Sequence, residues 1–355
     1  MIKQILQDKF AKVALIVLTI LYALILFADF IAPYSKDYSN RELAYVPPSK
    51  IYIINEKGKL SFPYTYNYVR KYDADLMQTV YKEDKSHKFF IKPYTFGDEY
   101  KILGLIPCNL HLFGVDKGGN LHLLGTDING RDVFSRLLFG GRISMTVGFL
   151  ALFILFPIGL IYGGISGYFG GKLDTLMMRF AEAIMAIPSF YLLIILAAIL
   201  PAGMTSVMRF GLIVVILALI GWAGFARVVR GMVLSIKNED FVSAAKTIGA
   251  SPMRIILKHV LPQTTSYIII AMTLSVPSYI LSESGLSFLG LGIQQPDASW
   301  GNMLKEAQEF TNLIYRPWLL APGGLIFIAV LSFNVLGDTI RDILDPKGRK
   351  REQLR

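Results

Sequence analysis

Hydrophobic and polar positions divide the chain into six apolar runs separated by polar segments. The runs cover residues 13–28 (extending to 32), 143–165, 183–202, 210–226, 264–282 and 317–337. Each is free or nearly free of charge over about 20 residues, the length of helix that crosses the hydrocarbon core of a bilayer. The pattern therefore predicts an all-α polytopic membrane protein with six transmembrane helices.

The first run follows a short segment that carries Lys3, Lys9 and Lys12. A cleaved signal peptide and an uncleaved signal anchor both begin in this way. The run is long for a signal peptide, no small-x-small cleavage site follows it, and further runs lie downstream, so we favour the anchor. Residues 1–32 are then predicted to be a cytoplasmic N-terminus and the first span.

Residues 33–142 are polar and rich in tyrosine. Polar and isoleucine positions alternate at 50–54, and glycine-containing turn signals occur at 57–58 and 117–119, which predicts short strands. We expect this stretch to form an inserted, β-rich extracytoplasmic domain.

The composition agrees with a membrane protein. Hydrophobic residues make up 53% of the 355 positions and charged residues 17%, and the mean hydropathy is +0.48, which is too apolar for an ordinary soluble chain. The net charge is +10, but no basic stripe alternates with aromatic residues, so we expect no nucleic-acid partner. The single cysteine, Cys108, excludes an internal disulfide, and the four histidines share no ligand spacing, so no metal site is predicted.

Positive charges also predict the orientation of the spans. If the N-terminus is cytoplasmic, residues 170–179, 227–262 and the tail at 341–355 all fall on the cytoplasmic side, and these segments are richer in Lys and Arg than the short outer loops. Cytoplasmic loops carry such an excess. We therefore expect both termini in the cytoplasm, a five-helix core at 143–340 and a basic cytoplasmic tail at 341–355.

Residues 238–263 are too amphipathic to span a bilayer but have an ordered pattern. Asn238 is a suitable N-cap before an acidic pair, and Gly249 can adopt the left-handed turn that ends a helix of about three turns. A second helix is expected to begin with Pro252 in its first position and to end before Pro262. The segment is therefore predicted to be a helix, a glycine turn and a second helix. It could dock a partner or simply lie on the lipid surface.

This segment resembles the EAA loop of ABC-importer permeases. The matching positions are Ser243-Ala244-Ala245, then Gly249, then Leu261-Pro262. Ser243 stands where the family usually has glutamate. The resemblance extends to oligopeptide/dipeptide-type permeases at 122–127, 130–132, 135–136, 167–171, 186–188, 283–294, 299–304, 334–338 and 341–342. These matches cover the first span and nearly everything after residue 120.

The resemblance implies a permease of the type I importer fold that carries oligopeptides or dipeptides through the cell membrane. Its expected partners are a homologous second permease, two ABC ATPase subunits, an extracytoplasmic solute-binding protein and membrane lipid. The loop at 227–262, called the coupling loop below, would contact the ATPases. The residues implied in that contact are Asp240, Ser243, Ala244, Ala245, Lys246, Gly249 and Pro262.

No Walker A sequence occurs in the chain, so we expect it to be no enzyme and to bind no cofactor itself. ATP and Mg²⁺ would belong to the partner ATPases. Within the permease class, nickel or another small solute is the alternative substrate. A secondary transporter would need intramembrane carboxylates or histidines, which the predicted spans almost lack, and a membrane-anchored receptor would need only one span.

Two further places carry candidate function. The outer signature loop, residues 125–132, contributes Gly125, Thr126, Asp127, Gly130, Arg131 and Asp132. Part of it resembles a calcium loop, but the ligand series is incomplete, and a polar turn at Asn129-Gly130 is the favoured interpretation. Glu283, at the outer end of the fifth span, is a candidate for the translocation path, and packing of a loop is the alternative.

Overall fold

The computed structural model describes residues 2–55, 58–73, 78–102, 106–201 and 203–344, so most of the predicted basic tail lies outside the described residues. The chain is mostly helical. The α-helices are α1 Ile2–Ile5, α2 Lys9–Leu26, α3 Ala28–Ile31, α4 Val133–Phe169, α5 Gly171–Met185, α6 Ser189–Ala198, α7 Ser206–Ile236, α8 Asp240–Thr247, α9 Pro252–Ile255, α10 Thr265–Phe288, α11 Trp300–Leu304, α12 Phe310–Tyr315 and α13 Ala321–Leu344.

Within the described residues, five helical stretches are long and apolar enough to cross a membrane. They are Lys9–Leu26, Val133–Phe169, Ser206–Ile236, Pro252–Phe288 and Pro317–Leu344. The third predicted span, at 183–202, is not one straight helix in the structure, because α5 and α6 meet there at a bend of 74°. Pro188 is the N-cap of α6, and a proline disfavours helical geometry in the residue before it. The pair makes six spans if it counts as one.

The four strands form one antiparallel sheet in the order β1-β2-β3-β4. Their bounds are β1 Tyr52–Ile54, β2 Leu60–Asp73, β3 Gln78–Ile102 and β4 Ile106–Val115. The expectation of short strands is wrong for β2 and β3, which have 14 and 25 residues. Each strand continues over this length because bulges, such as the register shift between Thr65 and Asn67, accommodate an unpaired residue without ending the strand.

The chain divides into two compact units. The first contains Met1–Leu18, Met145–Leu286 and Phe327–Arg355, and the second contains Thr19–Ser144 and Ser287–Ile326. The sheet belongs to the second unit, and the coupling loop belongs to the first. A buried cluster of the first unit joins the end of α7 to the coupling loop; its members are Val229, Val233, Val242, Ala245, Ile255, Ile256, Val260 and Leu261.

Candidate functional site

Helix α8 begins one residue later than the sequence predicts. Asn238 is not its N-cap, because the turn after α7, closed by the Glu239 N–H donating to the Ile236 carbonyl at 3.1 Å, puts Glu239 in that position. The Glu239 side chain makes no capping hydrogen bond. The helix has 8 residues, about two turns rather than three.

The predicted glycine turn after α8 is confirmed. Gly249 has φ +79°, and its N–H donates to the Lys246 carbonyl at 3.0 Å, while the Ala250 N–H donates to the Ala245 carbonyl at 3.1 Å. These two bonds form a Schellman motif, which satisfies carbonyls left over at a helix end. Pro252 occupies the first turn of α9, as predicted.

Pro262 does not end the second helix, so that prediction is wrong. A π-helical turn at Ile256–Val260 and a 3₁₀ turn at Leu261–Thr264 continue α9 into α10. A proline lacks the N–H of the helical ladder and crowds the carbonyl four residues back, and a wider turn relieves this crowding. The coupling loop is therefore joined without a break to the long helical stretch Pro252–Phe288.

The two faces of α8 have different environments. Val242 and Ala245 are 0% and 4% exposed and pack in the buried cluster of the first unit. The small side chain of Ala245 therefore packs within the chain, and its expected contact with a partner stays a prediction. Ser243, Ala244 and Gly249 are exposed as expected.

Two apolar residues on the exposed side of α8 were missed from the sequence. Phe241 is 41% exposed and Ile248 is 84% exposed. They could have been recognised as the large apolar residues left outside the Val242–Ala245 stripe of an otherwise polar segment. Lys246 is exposed, and its ammonium lies 5.5 Å from the ring centroid of Tyr168 in α4, within cation–π range. Its contact with a partner stays a prediction.

The signature loop is held by its own unit. The Thr126 side chain is fully buried, accepts a hydrogen bond from the Val46 N–H at 2.7 Å and donates one to the Leu43 carbonyl at 2.5 Å. Gly125 and Gly130 have φ of +69° and +68°, and a Cβ on Gly130 would overlap the Asn40 carbonyl. These residues fix the loop against the chain at 40–46.

The charged residues of the loop pair with one another. Asp127 accepts hydrogen bonds from the Arg131 N–H at 3.0 Å and Nε at 2.6 Å, and the Gly130 N–H closes the predicted turn onto its carbonyl at 2.9 Å. Asp132 accepts from Ser135 at 2.7 Å and lies 3.0 Å from His122 Nδ1. The carboxylates are thus engaged by protein donors, which confirms the polar turn.

Glu306, in the 3₁₀ turn Lys305–Gln308, completes this charged cluster and was missed from the sequence, where nothing connects it to residue 127. Burial, followed by the nearby Asp127 carboxylate, raises its pKa to about 7. The Ile128 N–H, which donates to its carboxylate at 3.1 Å, opposes the rise. The Glu306 carboxyl, which lies beside the loop, therefore titrates near neutral pH.

Glu283 lines neither of two cavities in the first unit. Its side chain is 0% exposed, whereas a cavity of about 220 Å³ is lined by hydroxyl groups, among them Ser275, Ser278 and Ser282. The translocation path and the packing of a loop both stay predictions for Glu283. Serines at intervals of three and four residues on α10 could have been found from the sequence as a polar stripe.

Two sequence families match the chain. One is described as the binding-protein-dependent transport system inner membrane component and matches residues 156–350. The other, the N-terminal TM domain of oligopeptide transport permease C, matches residues 1–48. The sheet lies between the two matched ranges.

The chain is also similar to named transport proteins. It is 47% identical over 231 residues to the dipeptide transport system permease protein DppC of Bacillus subtilis (strain 168), covering 64% of this chain and 70% of that protein. Identity is 44% over 230 residues to the oligopeptide transport system permease protein OppC of the same organism, covering 64% and 73%. It is 41% over 227 residues to the glutathione transport system permease protein GsiD of Escherichia coli O157:H7, covering 64% and 72%.

Proposed function

Because the chain belongs to the family of binding-protein-dependent transport system inner membrane components, we propose that it is the membrane permease of an ABC importer for oligopeptides or dipeptides. The names of the similar permeases specify dipeptides, oligopeptides and glutathione, which favours a peptide over nickel or another small solute. The chain would form half of a translocation path with a homologous second permease. A solute-binding protein would deliver the peptide.

We place the ATPase contact on the exposed side of α8. The observation that supports it is the pair Phe241, in α8, and Ile248, at its C-cap, which are 41% and 84% exposed beside the buried stripe of Val242 and Ala245. Large apolar side chains at the centre of a polar surface are typical of protein contacts. The coupling loop carries this surface on the cytoplasmic side if both termini are cytoplasmic.

The buried side of α8 provides the route into the membrane helices. Val242 and Ala245 share one cluster with Val233 of α7 and Ile256 before α10. A packed cluster transmits displacement because its side chains have little free volume. ATP-driven closure of two partner ATPases would therefore move α8, and α8 would move α7 and α10. This chain contributes the lever, and the ATPases supply the hydrolysis.

The sheet and the signature loop belong to the extracytoplasmic side in this proposal. The first span then begins in the cytoplasm, and residues 33–142 form the inserted outer domain. The fold would be that of type I importer permeases.

The docking proposal is tested by replacing Ile248 with Asp and purifying the complex of permease and ATPase subunits. We expect at least about tenfold less ATPase to co-purify, since a charge at a central apolar contact removes a dominant part of the binding energy. Phe310→Asp, at a residue that is 76% exposed in the second unit, is the matched control. If both variants retain the ATPases equally, α8 is not the docking element.

A further inference from the structure

The turn between α4 and α5, here called the elbow and comprising residues 166–174, is contacted by three cations from α7 and α8. Gly170 and Gly171 form the turn with φ of +68° and +59°. Arg230 pairs with Asp174, Lys237 reaches the end of α4, and the Lys246 ammonium lies over Tyr168.

Asp174 and Arg230 form the strongest of these contacts. Arg230 Nε donates to Asp174 Oδ1 at 3.0 Å, Arg230 Nη2 donates to Oδ2, and the Ser166 hydroxyl donates to Oδ1 at 2.5 Å. The side chains are 10% and 34% exposed. A two-point arginine–carboxylate contact fixes orientation as well as distance, so this pair sets the direction of α5 relative to α7.

Lys237 and Lys246 contact the end of α4, which forms the first part of the elbow. Lys237 Nζ donates to the carbonyls of Gly167 at 3.0 Å and Tyr168 at 3.4 Å, which leaves a cation at the C-terminal end of α4, where the helix dipole favours it. The Lys246 ammonium is 5.5 Å from the Tyr168 ring centroid. One of these contacts therefore originates on α8 itself.

Close packing already holds α4 to α7 without the ion pair. A Cβ on Gly167 would lie 2.7 Å from the Arg230 carbonyl and 2.8 Å from Val233 Cβ, so the two backbones approach through glycine. The Asp174–Arg230 pair adds a connection to α5, which lies beyond the turn. Breaking it would leave a partly buried charge without its partner, so the pair favours one arrangement over intermediate ones.

We propose that Asp174 and Arg230 are a positioning pair for ATP-driven transport, which makes the elbow and α5 follow the movement of α8. This inference rests on the proposed function, because it needs α8 to be moved by the ATPases. Neither residue need contact the substrate.

The test uses the complete complex in proteoliposomes with its solute-binding protein. The measured quantity is peptide imported per ATP hydrolysed. Asp174→Asn, of nearly the same shape, should lower this ratio at least about fivefold, the lower end of ordinary coupling between sites, while ATPase subunits remain bound. The exchange Asp174→Arg with Arg230→Asp should restore part of the ratio. Glu182→Gln, which breaks the exposed 3.1 Å pair with Arg179 on the same helix, is the matched control and should leave the ratio unchanged.

Three results would overturn the proposal. They are an unchanged ratio in Asp174→Asn, an equal fall in Glu182→Gln, and a proportional loss of import, hydrolysis and thermal stability, which would mean a purely structural role. Failure of the docking proposal is distinguishable, because it is measured as ATPase retention in Ile248→Asp. A complex that keeps its ATPases but imports normally without the Asp174 charge refutes only the positioning pair.

Discussion

Replacement of Gly249 by leucine is predicted to uncouple ATP hydrolysis from import. Gly249 has φ +79°, and apart from its two chain neighbours no described residue has an atom within 4 Å of a Cβ built on it. A Cβ at this position therefore lies in open space. It projects from the exposed end of α8, next to Ile248, where we place the ATPase contact.

The magnitude can be divided into a backbone part and a contact part. A residue other than glycine in the left-handed region loses about 1–2 kcal/mol, and alanine and leucine share this loss. Leucine adds an isopropyl group beyond a Cβ that lies in open space. If a partner surface lies there, overfilling it is worth roughly 1–3 kcal/mol, which is about 5- to 150-fold in binding.

The assay compares Gly249→Ala, Gly249→Leu and Gly249→Asn in reconstituted complexes. Alanine and leucine variants should have similar thermal stability, and asparagine should be the best tolerated because it adopts this backbone region more readily. Only leucine should lower import per ATP by the larger factor, with membrane insertion intact. Import at the normal rate by the leucine variant, or an equal defect in the alanine variant, would refute the docking assignment.

Two further predictions concern the second unit. Gly130→Ala should destabilise the chain by about 1–3 kcal/mol more than Gly58→Ala in thermal unfolding, because both have positive φ but only Gly130 has a carbonyl where the Cβ would lie; equal losses would contradict the packing of the signature loop. Glu306 has a folded pKa of about 7 against 4.5 for an ordinary glutamate, so its folded form keeps the proton that its unfolded form releases, and stability falls as pH rises between these values. Glu306→Gln should therefore stabilise the chain more above pH 7 than below pH 4.5, and a shift that is independent of pH would exclude the buried carboxyl as its cause.

Local signals in the coupling loop were predictable because each depends on a few adjacent residues. A glycine after a short amphipathic stretch predicts a left-handed end, and the structure has it at Gly249. The continuation of the helix past Pro262 was not predictable, because the same proline can end a helix or be accommodated in it by a wider turn. The choice depends on tertiary packing of Val260 and Leu261 in the buried cluster, which sequence spacing does not show.

For charged residues too, contacts between near neighbours in the sequence were predictable, and contacts between distant residues were not. The spacing of Arg179 and Glu182 on one helix predicts an i,i+3 pair, and the pair is present at 3.1 Å. Glu306 lies 179 positions from Asp127 in the sequence, and only the folded second unit brings it into the cluster. The burial of Ala245 was also hidden, because a small residue on an amphipathic helix suits either a tight core or a close partner contact.

The helical turns continue through Pro262, so the left-handed turn of this segment lies at Gly249. Between Asp240 and Phe288 every residue is described, and Gly249 is the one position there with positive φ. From Pro252 onward the helical turns run without a break into α10. A displacement of α8 can therefore be absorbed at Gly249 or passed on through the buried cluster to the helical turns that continue into α10. For this reason the conformation of Gly249 and the packing of Val242 should affect coupling more than the proline of the EAA pattern.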